Sequence, residues 1–399
     1  MKTKIHGKMY DLTKFNHPGG IIPMYLIENN DGTCLFESYH PVSNRDALLK
    51  ILEKYEINDD NSIEEQKVYD FNNFKNDPFV KELREKVYDY FKELSIKNNC
   101  TIIEATKMNT NKFYETIILF IILSFGFYLN LGIIYTSFFH FLLVINNWHD
   151  IGHFSFIKNK KLEMYMMPLF TSLFPTFSWY IGHTRNHHSY TNIVNLDQDL
   201  DEYFITNTKK RNLFLDILRI PFVVFIKIFF SNNENDLLNL QFKYYYNIQL
   251  FLHVTFKFFL FLYIFFTNSS YILSAIKIIL YYLIQLIFFG LFTKINHIHT
   301  NNFTKDKNFY KHQIITSSNL KTNSYIYRLL SGSLNCQIEH HLFPSVNSCH
   351  LPALAKIIKP LCLKYNINYN ESFTLCDALS DTLKSIKSIK SLKTLCNIN

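Results

Sequence analysis

Long uncharged blocks alternate along this chain with charged, Asn-rich stretches. From Thr116 to Ile145 no charge occurs. One membrane span takes about 20 apolar residues, so the block is too long for one crossing and short for two. Asn130 and Gly132 lie at its middle, which predicts a tight helical hairpin extended by the flanking residues. A second hairpin is predicted from Ile248 to Thr267 and Tyr271 to Thr293, joined by Asn268, Ser269 and Ser270. Lys257 and Lys277 fall inside these spans and must snorkel or face protein. Met164 to Gly182 is also uncharged, but Pro168 and Pro175 interrupt it, and Trp179 and Tyr180 close it. Prolines break helices and aromatic rings favour the interface, so this stretch reads as interfacial or re-entrant. Leu213 to Phe230 carries Asp216, Arg219 and Lys227 and reads as a helix lying on the membrane surface. The pattern predicts four spans in two hairpins.

The remaining segments are polar. Residues 1–57 read as a compact soluble unit ending in a helix from Arg45 to Tyr55. Residues 58–112 form a charged linker with an amphipathic piece, Phe79 to Leu94, and residues 113–399 form the membrane domain. The tail, Asp381 to Lys393, reads as a basic surface helix.

Composition adds little until it is mapped. The hydrophobic share of 48% is ordinary; its clustering is what matters. The net charge of +8 fits basic loops on one side of a membrane. Lys158, Lys160, Lys161, Lys209, Lys210 and Arg211 all fall opposite the two uncharged turns. The positive-inside rule therefore puts that side, and both termini, in the cytosol. Lys and Arg are otherwise scattered and no nucleic-acid-binding signature occurs, so nucleic acid is not an expected partner. The seven cysteines form no C-x-x-C and read as reduced thiols. The N-terminus, MKTKIHGKMYDL, lacks the apolar core of a signal peptide.

The chemistry lies in the histidines, of which there are 16. HDIGH places His149 and His153 at i and i+4, on one face of a helix. HTRNHH gives His183, His187 and His188, QIEHH gives His340 and His341, and NHIH offers His297 and His299. Every cluster falls on the cytosolic side if Met164 to Gly182 does not cross. A lone HxxxH is more often a chance surface pair, but chance does not account for several clusters on one side of four spans. His140, His253, His312 and His350 read as packing, interface or solvent histidines. Asp197, Asp199 and Asp201 in NLDQDLDEY read as a solvated loop rather than as carboxylates behind the ligands. Nitrogen-rich ligation of this size suits a pair of iron or copper ions better than a closed four-ligand zinc site. A pair of irons that activates oxygen beside a membrane points to oxidation of a lipid chain, which needs electrons.

Met9 to Gly20, MYDLTKFNHPGG, supplies a candidate entry point. His17 precedes Pro-Gly-Gly, where glycines let a flat cofactor approach the backbone, and His40 follows in DGTCLFESYHP. This stretch, residues 8–57, resembles the haem-binding core of cytochrome b5. With HPGG, HDIGH, HTRNHH and QIEHHLFP in that order, the whole chain resembles the front-end fatty acid desaturases.

The resemblance implies a mainly α fold. It comprises a four-span helical membrane domain with a cytosolic di-iron histidine-box cap, plus a small α+β cytochrome b5-like N-terminal domain. It implies two irons held by His149, His153, His183, His187, His188, His340 and His341. His297 is the preferred extra ligand, with His299 as its rival. Gln337, standing where related enzymes have a first histidine of the third box, binds metal directly, binds through water or orients His341. Haem b would sit between His17 and His40. The expected partners are a fatty acyl chain carried on CoA or a lipid, O2, NADH-cytochrome b5 reductase and membrane lipid, in the endoplasmic reticulum. The expected reaction places a cis double bond between an existing one and the carboxyl end. Rival readings are a sphingolipid long-chain-base desaturase, a hydroxylase, and a membrane-tethered electron carrier; intact histidine clusters speak against the carrier.

Overall fold

A computed structural model of the chain describes residues 1–58, 63, 68–71, 76–160, 162–163, 165–166, 179–193, 196–197, 199, 240–268, 270–299 and 306–395. The expected interfacial stretch from Met164 falls largely, and the surface helix from Leu213 wholly, outside them.

The N-terminal residues form an antiparallel three-stranded sheet: Lys2–Ile5 pairs with Lys8–Asp11, which pairs with Glu56–Ile57. Against it stand the helices Ile22–Ile27, Thr33–Tyr39 and Arg45–Leu52, the last capped by Asn44 through its bond from the Ala47 N–H. Ile5, Tyr10, Leu12, Met24 and Leu52 form its apolar centre. Glu37 is buried; Arg45 and Arg84 compensate its charge, and the His6 ring lies within hydrogen-bond distance of it.

The helix Pro78–Lys97 starts at Asp77, whose carboxylate accepts from the Phe79 N–H. Phe79, Leu83, Val87 and Phe91 are fully buried along one face, at the spacing an amphipathic helix requires. Each such burial stabilises the fold by about 1.5–3 kcal/mol. They pack on Leu354, Ile358 and Leu361 of the helix Leu351–Lys364 and on Ile338 and Leu342, which fixes the segment carrying QIEHH.

Both expected hairpins are present. The helices Thr110–Tyr128 and Ile133–Gly152 are joined by a turn in which Asn130 has φ 51° and Gly132 φ 95°. Leu240–Phe266 and Tyr271–His297 form the second pair. Among the described residues three helices are long and apolar enough to cross a membrane: Thr110–Tyr128, Asn247–Phe266 and Tyr271–His297. The helix Ile133–Gly152 differs from them: nearly every residue from Thr136 onward is buried against neighbouring helices, and it ends in Asn146, Asn147, His149 and Asp150. Lys257 lies over the Tyr282 ring and Lys277 bonds Asn268, so both inward lysines have polar or aromatic company. The six described cysteines form no disulfide.

Gly332, at φ 63°, ends the helix Tyr325–Ser331, and a Cβ there would collide with the Ile145 carbonyl. This close approach brings the chain into the helix Gln337–Leu342, directly beside Ile133–Gly152. The short parallel pair Asn319–Leu320 and Glu371–Ser372 supports it. The Asn319 side chain accepts from the Ile338 N–H and donates to the buried Glu339 carboxylate, to which Tyr369 also donates.

Candidate metal centre

The helix Ile133–Gly152 delivers His149 in its last turn and His153 at its C-cap, with ring centroids 4.8 Å apart. Asp150 points elsewhere: its carboxylate accepts from the Asn347 amide at 3.0 Å and the Ser348 hydroxyl at 2.7 Å. That anchor ties the first histidine pair to the loop that follows QIEHHLFP.

The second cluster is wound as a π-helix, Tyr180–His187, in which each backbone bond closes over five residues instead of four. This wider turn leaves the His183 ring near both His187 and His188, with centroids 5.0 and 4.8 Å away. His183 Nε2 accordingly lies 3.2 Å from His188 Nε2, while His187 Nε2 lies 3.3 Å from His297 Nε2. His183 and His187 thus reach different all-histidine groups, while both also lie within 4.8 Å of Asp199.

The adjacent histidines of QIEHH divide in the same way, since neighbours on a helix point about 100° apart. His340 Nε2 is 3.1 Å from His188 Nε2, and His341 Nε2 is 3.2 Å from His297 Nε2. The Gln337 amide lies 2.8 Å from His297 Nε2. Two groups result. In one, His149, His153, His183 and His340 each offer a nitrogen within 4.8 Å of the others, with His188 beside them. In the other, His187, His297 and His341 do so, with Gln337 beside them. His299 instead pairs with Asp381 at 3.5 Å.

The outer ring nitrogens explain which nitrogen faces inward. His183 Nδ1 meets Asp199 at 2.6 Å, His187 Nδ1 meets Asp197 at 2.9 Å, and His341 Nδ1 meets the Gln313 carbonyl oxygen at 3.0 Å. His153 Nδ1 meets the Tyr39 phenol at 2.7 Å. A ring that gives its Nδ1 proton to such a partner presents the Nε2 lone pair. Lone pairs facing one another at these separations repel unless a cation lies between them. His149 Nε2 and His153 Nε2 are buried with no hydrogen-bond partner, at a cost of about 1–3 kcal/mol for each orphaned group. The donor set therefore fits metal, and its all-nitrogen character suits iron.

Electrostatics agree. Burial, then the neighbouring imidazoles, push His153, His183, His188, His340 and His341 well below the usual histidine range, keeping the rings neutral, the form that can bind metal. Burial acts on His187 in the same direction, but Asp197 outweighs it and holds that ring above its usual value. Burial raises Glu339 to about 7.

The solvated-loop reading is corrected here for Asp197, while Asp201 lies outside the described residues. Asp197 is buried, also accepts from the Asn192 N–H and faces His187. Asp199 is exposed at its outer edge but bonds His183. Gln313 and Tyr39 were not anticipated either. No periodicity marks these residues, because each reaches its histidine from another part of the chain. Among the histidines read as packing, His312 bonds the Thr191 carbonyl and His350 the Lys107 carbonyl.

His17 and His40 lie together in the N-terminal unit, with ring centroids 6.0 Å apart and planes at 80°. The His40 Nδ1–H donates to the Phe36 carbonyl at 2.8 Å. Burial and then His40 lower His17 to about 4, against a backbone bond at Gly20. A Cβ on Gly19 would lie 2.7 Å from the His17 ring, so this glycine is needed for the close turn.

Comparison with known proteins finds desaturases. The Delta(5) fatty acid desaturase A of Dictyostelium discoideum is 28% identical over 92% of this chain and 85% of its own length. The acyl-lipid (8-3)-desaturase of Mortierella alpina is 24% identical over 96% of this chain and 92% of its own. The acyl-lipid (8-3)-desaturase of Physcomitrium patens is 25% identical over 92% and 83%. No solved structure matches the chain. A sequence model of the fatty acid desaturase family matches residues 124–373, a span that takes in all the clustered histidines. The chain thus belongs to the fatty acid desaturase family and is an oxidoreductase whose clustered histidines are compatible with a pair of irons.

Proposed function

We propose that the chain is a front-end acyl desaturase that places a cis double bond between an existing one and the carboxyl end of a polyunsaturated chain. The observation that carries this reading is the pair of converging histidine groups, supported by near full-length similarity to Delta(5) and (8-3) desaturases. His149, His153, His183, His188 and His340 would hold one iron; His187, His297 and His341 would hold the other, with Gln337 beside it.

Two bound irons would supply oxygen activation, with O2 reduced to water as two hydrogens leave adjacent methylenes and two electrons arrive singly. The protein's own part is positional. Asp197, Asp199, Gln313 and Tyr39 fix the ring nitrogens of four histidines, and outer partners of this kind hold both tautomer and orientation. The buried helices Ile133–Gly152 and Gln337–Leu342 keep bulk water from the reacting carbon. The apolar helices would hold the acyl chain, crossing the membrane four times with Ile133–Gly152 as the fourth span.

Residues 1–57 would bind haem b between His17 and His40, whose ring centroids lie 6.0 Å apart. Residues 58–112 would link that unit to the membrane domain, residues 113–399. A fused donor raises its effective concentration at the irons, and an NADH-dependent cytochrome b5 reductase would recharge it. The site and both termini would face the cytosol from the endoplasmic reticulum.

Expression in a host without polyunsaturated lipids, fed candidate acids and profiled for products, tests the reading. New double bonds on the carboxyl side of existing ones are expected; hydroxylated acids, altered long-chain bases or no product would contradict it.

A further inference from the structure

Three of the anchored rings take their outer partner from residues 197–313. His183 uses Asp199, His187 uses Asp197 and His341 uses Gln313. His153 does not. Its Nδ1 meets the phenol of Tyr39 at 2.7 Å, from 114 residues earlier in the chain, and the two rings stack at 29°. Tyr39 is the last residue of the helix Thr33–Tyr39, and His40 is that helix's C-cap. The contact is built on both sides: Ser345 donates to the Tyr39 carbonyl at 3.1 Å, and Arg84 donates to the His40 carbonyl at 3.1 Å.

We propose that Tyr39 is a positioning residue shared by the two centres: its backbone carries His40, and its phenol holds His153 with Nε2 turned toward the first histidine group. The inference rests on the functional reading above and adds a role that no histidine motif contains. The phenol oxygen accepts the Nδ1 proton, which leaves the lone pair on the otherwise unpartnered Nε2. A neutral phenol accepts more weakly than a carboxylate, so His153 is a less electron-rich ligand than His183. The N-terminal unit is thereby part of the metal site and not only a donor on a tether. With haem held at His40 and iron at His153, Tyr39 would also lie between the two redox groups. The haem would supply single electrons, each lost by one haem iron(II) and gained by one iron(III) beside His153, and a nicotinamide-dependent flavoprotein reductase would restore the haem. From His40 the path to His153 runs through one peptide bond, the Tyr39 side chain and one hydrogen bond.

The test uses the full-length protein in detergent or nanodiscs, with Tyr39→Phe, which removes only the hydroxyl, and Ser345→Ala, which loosens the same interface without touching His153. In Tyr39→Phe, haem content and the bis-histidine spectrum should stay at the wild-type level. Iron affinity, measured against a competing chelator, should fall about 10-fold or more. Stopped-flow transfer of one electron from pre-reduced haem to the oxidised iron pair should slow by a similar factor. Ser345→Ala should match wild type in both readouts. Either readout unchanged in Tyr39→Phe, or equal losses in Ser345→Ala, overturns the inference while leaving the desaturase reading intact. A wild-type chain that takes up no haem or no iron overturns the functional reading and this inference together.

Discussion

Around the clustered histidines, outer ring nitrogens meet side chains from distant parts of the chain: Asp197 behind His187, Gln313 behind His341, Tyr39 behind His153. In the N-terminal unit the corresponding partners are backbone groups a few residues away, the Phe36 carbonyl for His40 and the Gly19 N–H for His17. A site anchored by side chains can be tuned by single substitutions that leave its ligands in place. A site anchored by backbone stands or falls with its local fold. The two regions should therefore respond differently to mutation, and that difference can be broken experimentally.

The largest effects belong to the ligands themselves. His187→Ala and His340→Ala should each lower desaturation by at least about 100-fold, since losing even an outer partner costs about 10–100-fold. Product profiling in the expression host checks this, and full activity in either variant would refute the assignment. Next come His17→Ala and His40→Ala. Each should abolish the low-spin haem spectrum and cut activity by about 100-fold, the scale of a lost tethered donor, while iron content stays at the wild-type level. Iron lost together with haem would dissolve the distinction between the two regions.

Asp197→Asn probes the side-chain anchor directly and should weaken iron binding or activity by about 10–100-fold. Asp199→Asn, at a carboxylate open to solvent, should cost less. Equal effects from the two would mean that burial of Asp197 has no part in holding His187. Gln337→Ala should leave the protein inserted but strongly impaired, and Gln337→His should retain more activity if the position is a ligand. Equal loss in both variants favours an orienting role, the one its 2.8 Å approach to His297 suggests. The smallest effect is expected from His299→Ala, whose partner Asp381 is a partly exposed ion-pair neighbour. Such pairs contribute about 0–1 kcal/mol, so activity should stay within about 2-fold.

The same contrast explains what could be read from the chain alone. HPGG and F-x-x-x-H are local devices, and both hairpins follow from charge-free blocks and turn residues, so His17, His40 and the paired helices were legible. The histidine clusters were legible as motifs, and adjacency alone sets His340 and His341 about 100° apart. The arrangement of HTRNHH was not legible, because Tyr180–His187 is wound as a π-helix, which helical periodicity does not predict. Asp197 looked like part of a solvated acidic run because three aspartates alternate there; only the packing of Asn192 and His187 around it shows the burial. The helix Ile133–Gly152 read as an ordinary span, yet its polar C-terminal half is stable because other helices surround it, a property of tertiary structure.

The most direct test of the account is the metal content of the purified wild-type chain, with Mössbauer spectra of protein loaded with 57Fe. Two histidine groups sharing one buried site predict about two irons per chain and the signature of a magnetically coupled pair. A single iron, zinc in place of iron, or two uncoupled ions would contradict the claim that these histidines form one di-iron centre.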